Sequence, residues 1–154
     1  MTTIQLYTSI KGGIEDVFDI SRDIDFHMFS ASKTNETAIA GTTKRKIGFN
    51  ETVTWKGRHF GIYLKHTSKI TTFERPTKFT DVMIKGHFMY FTHQHIFEHE
   101  NGITTMTDIL NYKTPYGIFG SFFDRCFLKN HLSTFLTDRN AAIKSAIENS
   151  NKSL

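Results

Sequence analysis

GIFGSFFDRCFLKNHLSTFLTDRNAAIKSAI, residues 117–147, is the stretch that decides how this chain folds. Phe119, Phe123, Phe127, Leu132, Phe135, Leu136, Ile143 and Ile147 recur mostly at threes and fours, the spacing that lines one face of an α-helix. Pro115 and Gly117 stand just ahead of it as breakers. The pattern predicts one long amphipathic helix from Gly117 to about Ile147, followed by a tail, residues 149–154, that frays.

Before Pro115 the period is different. Thr2 to Ile10 alternates, with Ile4, Leu6 and Ile10 on one face, and reads as a first strand. Lys11-Gly12-Gly13 breaks it, and Ile14, Val17 and Phe18 give a short helix over Ile14–Ser21. A second short helix follows, capped by Asp23, with Phe26 and Phe29 as its apolar contacts. Asn35 to Lys46 is polar and reads as loop. Phe49–Trp55 and His59–Ile70 read as strands separated at Gly57, and Arg75-Pro76 as a turn. Phe79–Lys85, Tyr90–Glu98 and Thr104–Tyr112 read as three more strands. Asn101-Gly102, between the last two, is a strong hairpin signal.

One strand, two short helices, several antiparallel strands and a terminal helix is an α+β order. A curved antiparallel sheet has one face to bury, and the terminal helix is the element long enough to cover it. Where the sheet wraps the helix without touching it, a cavity remains. No internal repeat or linker interrupts the pattern, so residues 1–148 read as a single domain.

The chain has 154 residues, 38% of them hydrophobic and 22% charged, which suits a folded domain. Its 15 phenylalanines suit a core, and equally a cavity for a flat or oily ligand. Net charge is +4, yet the lysines and arginines are scattered, with only Lys44-Arg45-Lys46 clustered. That spread argues against a nucleic-acid partner. The single cysteine, Cys126, excludes an internal disulfide, and no run reaches transmembrane length, which together point to a cytoplasmic protein without stable membrane insertion.

The order of elements, together with particular residues, resembles the START-like, Bet v 1-like (SRPBCC) superfamily and its helix-grip fold. Those residues are Trp55, Arg58-His59-Phe60-Gly61, Arg75-Pro76 with Phe79 and Asp81, Gly86-His87-Phe88, His93-Gln94-His95-Ile96-Phe97, Thr105 to Asp108, Tyr112 to Gly117, and Phe135 to Arg139. More narrowly, the chain resembles a bacterial ligand-binding branch of that superfamily, related to polyketide cyclases and lipid-binding domains. The resemblance implies a hydrophobic cavity without a cofactor. Met83 stands where the branch usually has a polar residue.

Within the strand MYFTHQHIFE, residues 89–98, Phe91, His93, His95 and Phe97 share one face. Three readings of that stripe are open. A cupin-type metal site fits poorly: the spacings from Gly86 to His93 and from His95 to Glu98 depart from a cupin's, and Gly120 stands where its last histidine ligand belongs. With no third ligand at a recognisable spacing, the expectation is that no metal is held. General acid–base catalysis is the second reading, with Asp108 brought beside the histidines by the hairpin, as in a cyclase or dehydratase. The third is a satisfied polar network that orients a small hydrophobic or amphipathic ligand.

The candidate ligand-binding residues are therefore His93, His95 and Asp108 as the polar centre, with Phe91, Phe97, Met83, Met106 and Phe123 as apolar lining and Trp55 and His59 at the rim. His27 reads as a helix-surface histidine, and His66 and His131 as core-edge residues. No phosphate loop, dinucleotide fingerprint or nucleophile elbow is present. The sequence does not indicate an oligomeric state.

Overall fold

The computed structural model of the chain describes residues 1–153. In chain order the elements are β1 (Thr2–Lys11), α1 (Ile14–Ser21), α2 (Ile24–Ser30), a 3₁₀ turn (Ser32–Thr34), β2 (Thr37–Gly41), β3 (Thr52–His59), β4 (Ile62–Glu74), β5 (Lys78–Lys85), β6 (Tyr90–Glu100), β7 (Ile103–Lys113), α3 (Gly117–Phe123), a π turn (Asp124–Leu128) and α4 (Lys129–Lys152). Among the described residues the strands form one seven-stranded sheet in the order β1-β7-β6-β5-β4-β3-β2, antiparallel throughout. This is the helix-grip α+β fold that the sequence pattern implied.

The chemistry of the turns explains the meander. Asn101 and Gly102 both take positive φ, 51° and 79°, and close the β6–β7 hairpin as a tight turn. Asp23 caps α2 by accepting a hydrogen bond from the Phe26 amide at 2.9 Å. At the start of the terminal helix, Gly120 packs so closely on Pro115 that any side chain would collide with the Pro115 carbonyl oxygen. Tyr112 Oη donates to Asp124 Oδ1 at 2.5 Å, and Thr2 Oγ1 donates to Asp124 Oδ2, tying the π turn to β7 and β1.

Phe18 of α1 anchors the larger core. Its ring meets Phe73, Phe79 and Phe97 edge-on at 5.3–5.4 Å between centroids, the geometry aromatic quadrupoles favour. Ile143 and Ile147 of α4 close over it. A second cluster joins Ile4, Leu110, Tyr112, Leu128 and Leu136. The backbone of α4 comes close to β1, α1 and α2, while β3, β4 and β5 curve away from it. The gap between helix and curved sheet is the cavity.

Several expectations need correcting. Thr37–Gly41, inside the expected loop, is an edge strand; it pairs only with β3 and is mostly exposed, so it carries no clean alternation. Gly57 lies inside β3, and the reversal falls at Phe60-Gly61, where both residues take positive φ. Phe29, expected as an apolar contact of α2, is exposed, and Phe49, expected to begin a strand, lies exposed ahead of β3. The terminal helix runs without a break but widens into a π turn at its second turn. Its end is helical to Lys152, so most of the expected fraying tail is ordered, and Leu154 lies outside the described residues.

Candidate functional site

The floor of the cavity is assembled by strand register. Alternation along β6 turns His93 and His95 to the concave face. Asp81 of β5 sits directly across from His93, and Asp108 of β7 directly across from His95. Two imidazoles and two carboxylates are thus cross-strand neighbours on one face. Asp108 is fully buried and His95 nearly so.

A carboxylate can only accept, so His93 Nε2–H donates to Asp108 Oδ1 at 2.9 Å and His95 Nε2–H to Asp81 Oδ2 at 3.4 Å. Asn140 of α4 donates from Nδ2 to Asp108 Oδ2 at 2.6 Å, which ties the helix to the floor. His95 Nδ1 lies 2.8 Å from Asp108 Oδ1, yet it makes no hydrogen bond there. Its attraction to that carboxylate is electrostatic. Phe79 stacks on the His95 ring at 4.2 Å and fixes its plane.

These contacts set the charge states. Burial alone would raise Asp81, but the His95 hydrogen bond and both imidazole charges outweigh it and hold the carboxyl down at about 2. Asp108 is held well below the usual range against burial by His93 and His95. Burial and the neighbouring His95 push His93 down. His95 moves up: burial opposes its charge, but the adjacent carboxylates of Asp108 and Asp81 prevail.

The mouth carries a second network. His27 Nε2 meets Glu36 Oε2 at 2.6 Å, His59 Nε2 lies 3.5 Å from Glu36 Oε1, and His59 Nδ1 meets His131 Nε2 at 2.9 Å. Burial would raise Glu36, but the His27 and His59 contacts hold it at about 2. His131 is pushed down by burial and by His59. A Cβ on Gly57 would lie 2.8 Å from Glu36 Cγ, so the glycine makes room for this latch. Trp55 is stacked by His27 at 4.2 Å.

The cavity encloses about 530 Å³, within the range of small-molecule sites. Of the residues expected to line it, His93, His95, Trp55, His59, Phe91 and Phe123 do. Asp108 lies behind the histidines, not on the wall. Phe97 and Met106 belong to the core: Phe97 packs on Phe18, and Met106 accepts a hydrogen bond from Ser21 Oγ through its sulfur. Met83 is not on the wall either. The β4–β5 register slips beside it, where Thr67 pairs with Lys85 but Ser68 pairs with Met83, and such a slip breaks simple alternation. His27, expected on the helix surface, is part of the mouth.

The sequence did not single out Asp81, Glu36, Arg139 or Asn140 as site residues. Asp81 answers the missing third ligand: one atom each from Asp81, His93 and His95 lie within 4.8 Å of one another. Two imidazoles and a carboxylate form a donor set able to hold a divalent first-row metal.

No family model matches the chain, and neither does any curated protein. Solved structures do. The protein TTHA0849 from Thermus thermophilus is 15% identical over 94% of this chain and 99% of its own, with a TM-score of 0.73. A START superfamily protein from Mycobacterium smegmatis is 10% identical over 96% of this chain and 97% of its own, with a TM-score of 0.71. The di-domain ARO/CYC protein StfQ of the steffimycin biosynthetic pathway is 11% identical over 97% of this chain but 51% of its own, with a TM-score of 0.76. Their likeness is one of fold. The fold of this chain is the START-like helix grip.

Proposed function

We propose that this protein binds or carries a small hydrophobic or amphipathic molecule in the cavity between its sheet and α4. The observation that supports this most is the division of the cavity wall. Aromatic and aliphatic side chains form most of it, with one polar cluster at the floor and a second at the mouth. Burying a ligand's apolar body contributes roughly 25 cal/mol per Å², while the floor fixes the orientation of one polar end. His93 and His95 are the wall residues in that role, with Asp108 holding His93 from behind.

The reading needs no metal, because Asp81 and Asp108 already accept the imidazole N–H groups. It needs no nucleic acid: Arg45 and Lys46, in the one basic cluster, pair with Glu51 and Asp19. Cys126 without a cysteine partner fits a cytoplasmic location, and no helix among the described residues is long and apolar enough to cross a membrane.

A second reading is favoured by one observation. Two imidazoles with ring centroids 3.9 Å apart face the cavity between two carboxylates, and their pKa values are pushed in opposite directions. Such a pair can serve as acid and base, as a cyclase or dehydratase requires. The ARO/CYC description of StfQ is consistent with that alternative.

Native mass spectrometry of freshly purified protein separates the two. A small molecule that co-purifies and stays chemically unaltered on incubation supports the carrier. A bound molecule converted to a new mass supports the enzyme.

A further inference from the structure

Arg139 is only 5% exposed, yet it lies on the cavity wall. It projects from α4 between Leu136 and Ile143, on the face the helix turns toward the sheet. Its Nη2 donates to the Ser21 carbonyl oxygen, at the end of α1, at 2.5 Å. That carbonyl belongs to the negative end of a helix dipole and offsets part of the charge. The other edge is unmatched. Nη1 is buried and has no acceptor in the protein.

Buried charges are ordinarily paired, because an unpaired one forfeits its hydration without compensation. The nearby carboxylates do not meet this need. Asp81 is taken by His95, Asp108 by His93 and Asn140, and Glu36 by His27 and His59. Among the described residues, no carboxylate forms an ion pair with Arg139. Asp108, Asp81 and Glu36 favour its charge across the cavity, while burial, the larger effect, opposes it. A guanidinium is a planar fork that matches the oxygens of a carboxylate. Here its Nη1 edge lies buried and unpartnered beside a cavity walled mainly by apolar side chains.

We infer that the ligand is an anionic amphiphile whose carboxylate, or similar oxyanion, docks on Arg139 Nη1 while its apolar body lies along the aromatic wall. This rests on the cavity-binding reading and names the chemical class of its ligand. It also gives the floor a division of labour. Arg139 holds the anion, and the His93–His95 pair, already engaged by carboxylates, faces the atoms next to it.

Competition between two amphiphiles of equal chain length tests the inference. N-phenyl-1-naphthylamine, an uncharged dye that fluoresces in apolar cavities, reports occupancy, and laurate and 1-dodecanol displace it at neutral pH. The wild type should release the dye to laurate at a concentration at least about tenfold lower than to dodecanol, a difference of about 1.4 kcal/mol. Arg139→Met, with its fold checked by circular dichroism, should weaken laurate about tenfold and leave dodecanol nearly unchanged. Arg139→Lys, which keeps the charge but loses the fork, should fall between them.

If laurate and dodecanol displace the dye equally from the wild type, the inference is overturned and the cavity reading stands. The same holds if Arg139→Met weakens both competitors alike. If the dye is not taken up at all, the cavity reading fails and the inference falls with it.

Discussion

The floor and the mouth of the cavity are both built from histidines and carboxylates, but they are held in different ways. At the floor, two carboxylates serve two imidazoles, and Asp81, His93, His95 and Asp108 all stand on adjacent strands in fixed register. At the mouth, one carboxylate, Glu36, serves His27 of α2 and His59 of β3, and His131 of α4 joins through His59. At the floor Asp108 and His95 are 0% and 4% exposed although Asp81 keeps 18%, while at the mouth Glu36 keeps 10% and His27 and His59 keep 18% and 20%. The floor is held by strand register and is deepest at Asp108 and His95. The mouth is a latch between separate elements, with its histidines about a fifth exposed.

The sharpest way to break that comparison is to remove one carboxylate from each region. Asp108→Ala strands the buried His93 imidazole and the Asn140 amide and removes the charge facing His95, and should cost about 3–5 kcal/mol in a urea melt. Asp108→Asn keeps the shape and part of the hydrogen bonding, so it should cost less. Glu36→Gln at the mouth should cost about 1–3 kcal/mol, since water can replace the lost contacts. A Glu36→Gln loss as large as that of Asp108→Ala would erase the distinction.

A smaller effect sharpens the account of the latch. Gly57→Ala crowds Glu36 and should cost about 1–3 kcal/mol by overpacking. In a Glu36→Ala background the closest contact is gone and only His59 Nε2, 3.0 Å away, still crowds the methyl, so much of that cost should vanish in a double-mutant cycle. Costs that simply add would show that Gly57 serves the strand rather than the latch.

The smallest effects are in pH. His95 is raised, so its contribution to stability is complete below its unfolded value of about 6.5 and is lost as pH rises through its folded value. His93 is lowered, so its contribution is present above about 6.5 and is lost as pH falls. Asp81, Asp108 and Glu36 stabilise above their unfolded values of about 4, and that stability is lost on further acidification, toward about 2 for Asp81 and Glu36. Proton NMR should find His95 titrating above His93, and Asp108→Asn should lower His95. Two histidines that titrate together near the ordinary value would mean the floor is wet. Elemental analysis of dialysed protein should find no stoichiometric zinc, iron or manganese, and finding one would make Asp81, His93 and His95 its ligands.

The floor was half legible in the sequence because its signal is local. Alternation in one strand gives the His93–His95 stripe, and the Asn101-Gly102 hairpin brings Asp108 beside it. Asp81 enters through a third strand, whose register no tight hairpin signal fixes. Asn140 and Arg139 come from a helix whose face toward the sheet depends on where the π turn resets its phase. At the mouth the sequence pointed to Trp55 and His59 but not to Glu36, which lies in a stretch that reads as loop and whose partners His27 and His59 come from two elements joined only in three dimensions. Phe97 and Met106 follow the inward alternation correctly, but inward means core near α1 and cavity only farther along the sheet. Alternation tells the face and not the depth.

The most direct test of the central claim is a backbone and arginine side-chain NMR titration of the wild type with laurate. If the floor orients the ligand, the largest shifts should fall on the Arg139 side chain and on the amides of His93, His95 and Leu110, with smaller ones at His27 and His59. Shifts confined to the exposed aromatic surface of α3, around Ile118, Phe119 and Phe122, with the floor unmoved, would contradict it.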